Sequence, residues 1–144
     1  MFITLITPSG EKQVPIIITE NESSSDMEIC VEFEGKEFKG YCKNAVLPQA
    51  FAQLQKQLPK DVMIKSCLTC RHGNVCPFCS DDEEYFCIKG VDISCKNDVC
   101  DWFNRMVYND MEKYSRSCTD CCDDFQPQSS DYYTYSLYLY YMEQ

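Results

Sequence analysis

Ten of the twelve cysteines in this 144-residue chain fall after residue 66, as Cys67-x2-Cys70, Cys76-x2-Cys79, Cys87, Cys95, Cys100 and Cys118-x2-Cys121-Cys122. Such a density of thiols is compatible with three outcomes: disulfides, metal thiolates, or a core packed with reduced sulfur. The compartment decides among them. Met1-Phe2-Ile3-Thr4-Leu5-Ile6-Thr7 has no basic lead, and Pro8, Ser9 and Gly10 break its apolar stretch, so no secretory leader is expected. No apolar run approaches the roughly eighteen residues of a membrane span. The expected setting is cytoplasmic, where thiols stay reduced and clustered cysteines favour metal.

The first half reads as two β-hairpins and a helix. Phe2–Ile6 and Val14–Ile18 flank a Pro8-Ser9-Gly10 turn, and Pro15 places the second strand at an edge or near its start. Ile29, Val31 and Phe33 alternate with Glu28, Cys30, Glu32 and Glu34. A Gly35-Lys36 turn of type II′ would pair Phe33 with Phe38 and Glu32 with Lys39. In that register Cys30 faces away from Phe33 and Cys42 lies on its side, which marks both cysteines as structural. Leu47, Phe51, Leu54 and Leu58 form one helical stripe, with Pro48 in the first turn and Pro59 as the stop. Val62–Lys65 then reads as a strand leading into the cysteines.

Further on, Tyr85–Ile88 reads as a strand, and a second helix is expected from Asp98 or Cys100 to Tyr114, marked by Phe103, Val107, Asp110 and Tyr114, with Asp98 as N-cap. The segment Tyr132–Met142 is mostly tyrosine and leucine and has no charge between Asp131 and Glu143. Its β propensity suggests a final strand in the sheet or a strand that binds a partner. The expected fold class is α+β: an antiparallel sheet with one packed helix over residues 1–66, a treble-clef-like, metal-stapled region with a second helix over 67–125, and a tyrosine-rich strand or tail over 126–144. All are expected in one compact domain.

The x2 spacing lets two thiolates reach one ion from a tight knuckle, at about 2.3 Å each. A knuckle, a hairpin strand and a helix start together suggest Cys67, Cys70, Cys87 and Cys100 as one tetrahedral zinc site. Cys100 is included because a helix N-terminus favours thiolate. Cys76 and Cys79 compete for that site or for a second one. Cys118, Cys121 and Cys122 form another cluster, which His72 or Cys95 would complete. Four cysteines also suit an iron–sulfur centre, but no ferredoxin spacing is present.

Ser66-Cys67-Leu68-Thr69-Cys70-Arg71-His72-Gly73-Asn74, Phe86-Cys87-Ile88-Lys89-Gly90 and Asp98-Val99-Cys100-Asp101-Trp102-Phe103 together resemble the C-x2-C … C … C-x-x-F segment of small, uncharacterised bacterial and phage proteins. The preceding strands and helix are similar to bacterial domain families of unknown function. These resemblances imply a bacterial metal-site module and no activity. Cys76-Pro77-Phe78-Cys79 resembles the dithiol of glutaredoxins, although the apolar strand that precedes it there is missing here and Asp81, Asp82, Glu83 and Glu84 follow.

The net charge is −10, of which residues 67–144 carry −8 from six Lys/Arg and fourteen Asp/Glu. That acidity opposes nucleic-acid binding and suits a basic protein partner. There is no phosphate-cradling glycine loop, no H-E-x-x-H and no G-x-S-x-G. The leading expectation is therefore a non-enzymatic, zinc-stabilised protein-binding module, one version of which is a toxin-neutralising immunity protein. The other classes are a thiol–disulfide oxidoreductase using Cys76 and Cys79, and an iron–sulfur or redox sensor.

Overall fold

The computed structural model describes residues 1–78, 84–106 and 111–144. Two compact units divide the chain: Met1–Lys65 with Leu137–Gln144, and Ser66–Ser136. The first holds β1 (Phe2–Thr7), β2 (Gly10–Glu20), β3 (Met27–Phe33), β4 (Lys36–Cys42), α1 (Leu47–Gln57) and β5 (Met63–Lys65). The second holds β6 (Gly73–Asn74), β7 (Tyr85–Cys87), α2 (Lys96–Met106) and β8 (Ser115–Arg116), and α3 (Tyr138–Met142) belongs again to the first. The class is mixed α/β. Among the described residues, no helix is long and apolar enough to cross a membrane.

In the first unit a curled antiparallel sheet runs β4-β3-β2-β1-β5. β2 pairs with β1 over Gly10–Pro15 and with β3 over Ile16–Glu20. A strand that serves one partner with each half bends between them, and Pro15 marks that changeover. The expectation of an edge position is corrected: Pro15 sits in mid-strand, and its missing N–H is tolerated because the β3 register begins only at Ile16.

The second hairpin forms with a different register. Phe33 pairs with Lys36, Glu32 with Glu37, and Val31 with Phe38. The turn residues are Glu34 (φ 52) and Gly35 (φ 76), both left-handed, which is a type I′ connection rather than II′. The partner strand is thus shifted by two residues. A shift of two leaves every side chain on its expected face: Ile29, Val31, Phe33 and Cys42 are buried, while Cys30 lies on the other face.

The stripe of α1 is buried as its spacing predicts, with Phe51 and Leu54 completely enclosed and Leu47 and Leu58 nearly so. Leu58 leaves the helix in extended conformation, as a residue before proline prefers. The helix rests directly on β4. A Cβ built on Gly40 would lie 2.0 Å from the Ala50 carbonyl oxygen, so only glycine permits this approach.

The tyrosine-rich tail is not a strand: Tyr138–Met142 is a short helix packed on α1. Packing overrides the β propensity of tyrosine here. Lys56 Nζ donates to the Tyr141 carbonyl at 2.7 Å and the Gln144 carbonyl at 3.3 Å, placing a cation at the negative end of α3. Tyr138 is buried, and burial raises its phenol pKa above the ordinary range. A raised folded-state pKa gives stability that is present below the ordinary phenol pKa of about 10 and lost as pH climbs through the higher folded value. Ultraviolet phenolate titration should therefore show a late-ionising tyrosine that Tyr138→Phe removes; an unchanged titration would mean that Tyr138 is not sequestered.

The second unit has little regular structure. Its three-stranded sheet, β6-β7-β8, is short, and α2 packs on it through Phe86, Ile88, Val99, Trp102, Phe103 and Cys76. The rings of Phe86 and Trp102 meet Phe103 edge-on at 5.6 and 5.0 Å. α2 begins at Lys96, earlier than expected. Asp98 is not its N-cap but reaches back from the first turn, accepting from the Ser94 and Cys95 amides at 2.7 and 3.3 Å. Val107 and Asp110 of the expected stripe lie outside the described residues, and Tyr114 closes a 3₁₀ turn, Met111–Tyr114.

Candidate metal centre

β5 delivers the chain into Ser66 and then a tight knuckle, Cys67-Leu68-Thr69-Cys70-Arg71-His72-Gly73. Its backbone is turned by hydrogen bonds from the amides of Thr69 to the Ser66 carbonyl, Cys70 to Cys67, and Gly73 to Cys70. The Ser66 and Thr69 hydroxyls reinforce it from inside. Gly73 is required, since a Cβ there would lie 1.9 Å from the Cys67 carbonyl oxygen. Gly73 pairs directly with Cys87 of β7, which carries that thiol across from the knuckle.

A third segment closes over these two. The Cys67 amide donates to the Asp120 carbonyl at 2.6 Å, and the Arg71 amide to Gln126 at 2.8 Å. Cys70 bridges to Pro127, and the Gln128 side chain donates to the Leu68 and Cys70 carbonyls at 3.0 and 3.3 Å. Lys89, just past β7, pairs with Asp124 of the same segment. Residues 120–128 are thereby laced to the knuckle at both ends, with Cys122 between.

Cys67, Cys70, Cys87, Cys121 and Cys122 line one small cavity together with His72 and Phe125. Its volume is ≈ 10 Å³, about the room of a single water or ion. Cys67, Cys70, Cys87 and Cys122 are all unpaired as disulfides. The Cys70 sulfur accepts the amide hydrogens of His72, at 3.5 Å, and of Gln126. Burial pushes the Cys67 thiol up to about 12, reinforced by neighbouring Cys70, Cys87, Asp120 and Cys122. Burial also raises Cys70 despite those amides, with Cys87 and Cys122 again adding to the rise. Protons or a cation must therefore balance these sulfurs. Among the described residues, no group of three or more His, Cys, Asp or Glu side chains already stands as a coordination shell. The thiols share a cavity without having closed on a point within it.

The remaining sequence candidates lie elsewhere. Cys100 is the fifth residue of α2, beyond its first turn, so the helix-start argument for it does not hold, and it does not line the cavity. Cys76 is buried in the apolar cluster with Phe86 and Trp102, closed to an approaching disulfide, and Cys79 lies outside the described residues. Cys95 and Cys118 do not line the cavity. His72 does. Its Nδ1 is buried without a hydrogen-bond partner, and burial, helped by Arg71, lowers its pKa. Cys121, Cys122 and His72, expected as parts of a second site, line the same cavity as Cys67, Cys70 and Cys87, so the two expected clusters meet in one place.

A larger concavity of ≈ 620 Å³ in the first unit, bordered by Thr19, Asp26, Tyr41, Lys43 and Gln49, is open, and its one thiol is Cys42. Its titratable lining is mainly acidic, with Glu20, Asp26 and Glu28 beside Lys43. No protein-family model, curated protein or solved structure matches this chain.

Proposed function

We propose that the chain is a non-enzymatic protein-binding module whose second unit is held together by one thiolate-bound zinc ion. The observation that carries the metal reading is the convergence of Cys67 and Cys70 of the knuckle with Cys87 of β7 on one ion-sized cavity. Sulfur donors in a tetrahedral arrangement suit zinc. The cysteine spacing matches no ferredoxin pattern, which favours zinc over an iron–sulfur cluster. Such a site belongs in a reducing compartment, and we assign the protein to the cytoplasm on that ground.

The binding reading is supported by the outer face of the first unit's sheet. Phe2 and Ile17 are 60% and 64% exposed, and Phe2 pairs with Pro15 while Ile17 pairs with Cys30. With Pro15 between them they form an exposed apolar strip on one face of the sheet, the kind of patch that marks an interface.

The test has two parts. Protein isolated without added metal or chelator should carry one zinc per chain, and at least four further thiols should become reactive when the ion is removed, counting about four thiolates per ion. Protein lacking metal with all thiols reactive would remove the staple. A partner captured by the wild-type protein from its own cell type should be lost with Phe2→Ser and Ile17→Ser; equal capture, or none by the wild type, would refute the binding role.

A further inference from the structure

We propose that the fourth zinc ligand is Cys122, so that the ion fastens residues 120–128 onto the knuckle and β7. This deepens the metal reading above and depends on it. Three observations favour Cys122. It lines the same cavity as Cys67, Cys70 and Cys87, which Cys100 does not. Its backbone is held there from both sides, by the Cys67 amide on the Asp120 carbonyl and the Arg71 amide on the Gln126 carbonyl. The turn that follows is closed by the Phe125 amide on the Cys122 carbonyl, and Lys89 pairs with Asp124, keeping the segment facing β7.

Two neighbours compete for the position. Cys121 also lines the cavity and is exposed, as Cys122 is; what singles out Cys122 is its place among the charged neighbours of both Cys67 and Cys70. His72 lines it too, with its unpartnered Nδ1. However, His72 follows Cys70 by two residues, its amide already donates to the Cys70 sulfur, and its ring stands edge-on to Tyr132. The ligand order Cys-x2-Cys … Cys … Cys thus draws one ligand pair from the knuckle and one each from two distant segments. That arrangement gives the ion a structural role, since a closed four-sulfur shell leaves no position for substrate. Two negative charges remain on the tetrathiolate centre, beside which lies Lys89, itself paired with Asp124.

The experiment is titration of the reduced, full-length protein with Co2+, followed by displacement with Zn2+. The wild type should bind one Co2+ with tetrahedral absorption and a strong sulfur-to-metal charge-transfer band. Cys122→Ser should lose about a quarter of that band and hold zinc more than about 100-fold more weakly. Cys100→Ser, Cys121→Ser and His72→Gln should each keep the wild-type spectrum. Cys122→His should retain one ion with the spectrum of a three-sulfur, one-nitrogen shell. This also decides the matter if the serine variant does not fold. A wild-type spectrum in Cys122→His, or loss of the band in Cys100→Ser, Cys121→Ser or His72→Gln, would overturn the assignment while leaving the metal reading intact. No binding of Co2+ or Zn2+ by the reduced wild type would overturn both.

Discussion

Removing the proposed zinc ion is expected to unfold residues 66–136 while the first unit keeps its structure. The size of the effect follows from how little else holds the second unit. Among its described residues the strands are two or three residues long and α2 has eleven residues. A core in a unit of this size contributes about 3–5 kcal/mol, whereas a structural zinc site contributes about 10 kcal/mol or more. Loss of the ion therefore exceeds what the remaining packing can supply. Trp102, the only tryptophan, is 4% exposed in this unit, so its emission should shift to the red when a strong chelator is added. Amides of 66–136 should then exchange rapidly, and those of β1–β4 should stay protected. Cys67→Ser should reproduce the change without chelator. Unaltered Trp102 emission and amide protection after complete chelation would show that packing alone suffices.

The second large effect is expected at Gly40. Substitution by alanine places a methyl group 2.0 Å from the Ala50 carbonyl oxygen and 2.9 Å from the Leu54 nitrogen, both backbone atoms of α1. No side-chain rotation relieves such a contact. Either the helix lifts from β4 or the strand leaves its register with β3, where Gly40 faces Ile29. We expect a loss of about 3 kcal/mol or more and a fall in the melting temperature of the first unit by more than about 10 °C. Gly35→Ala, which meets no neighbour but sits at φ 76, should cost less, about 1 kcal/mol. Equal melting temperatures for wild type and Gly40→Ala would show that the helix is not seated on the strand.

What could be read directly from the residues was periodic. The stripe of α1 and the in-out alternation of β3 are repeated signals, and both are found where the spacing put them. The hairpin register was not legible because it depends on whether Glu34 accepts a left-handed conformation, a choice made by two competing turns that differ by a small energy. The helix of the tail is not legible because six tyrosines between 132 and 141 favour a strand in isolation, while the packing of Tyr138–Met142 on α1 is known only from the fold. The cysteines divide in the same way. Cys67 and Cys70 announce a knuckle through local spacing, and Cys87 follows from a recognisable strand. Cys122 comes to them only through the lacing of residues 120–128 onto the knuckle, which leaves no mark in local sequence. Cys100 was favoured by a helix boundary that falls four residues too late, as Lys96 begins the helix.

The pairing of α3 with α1 also governs when the first unit can finish folding. On an emerging chain the five strands and α1 are all present once residue 65 is made, so the sheet and the contact of α1 with β4 can form early from close neighbours in sequence. The side of α1 that receives Tyr138 must wait for residues 137–144. During that interval the side of α1 that carries Lys56 lacks its partner helix. Contacts of such long sequence separation are the slow ones in folding, and unfinished apolar surfaces invite association with other chains. Synthesis of the intervening cysteine-rich stretch thus separates the two stages in which the first unit is completed.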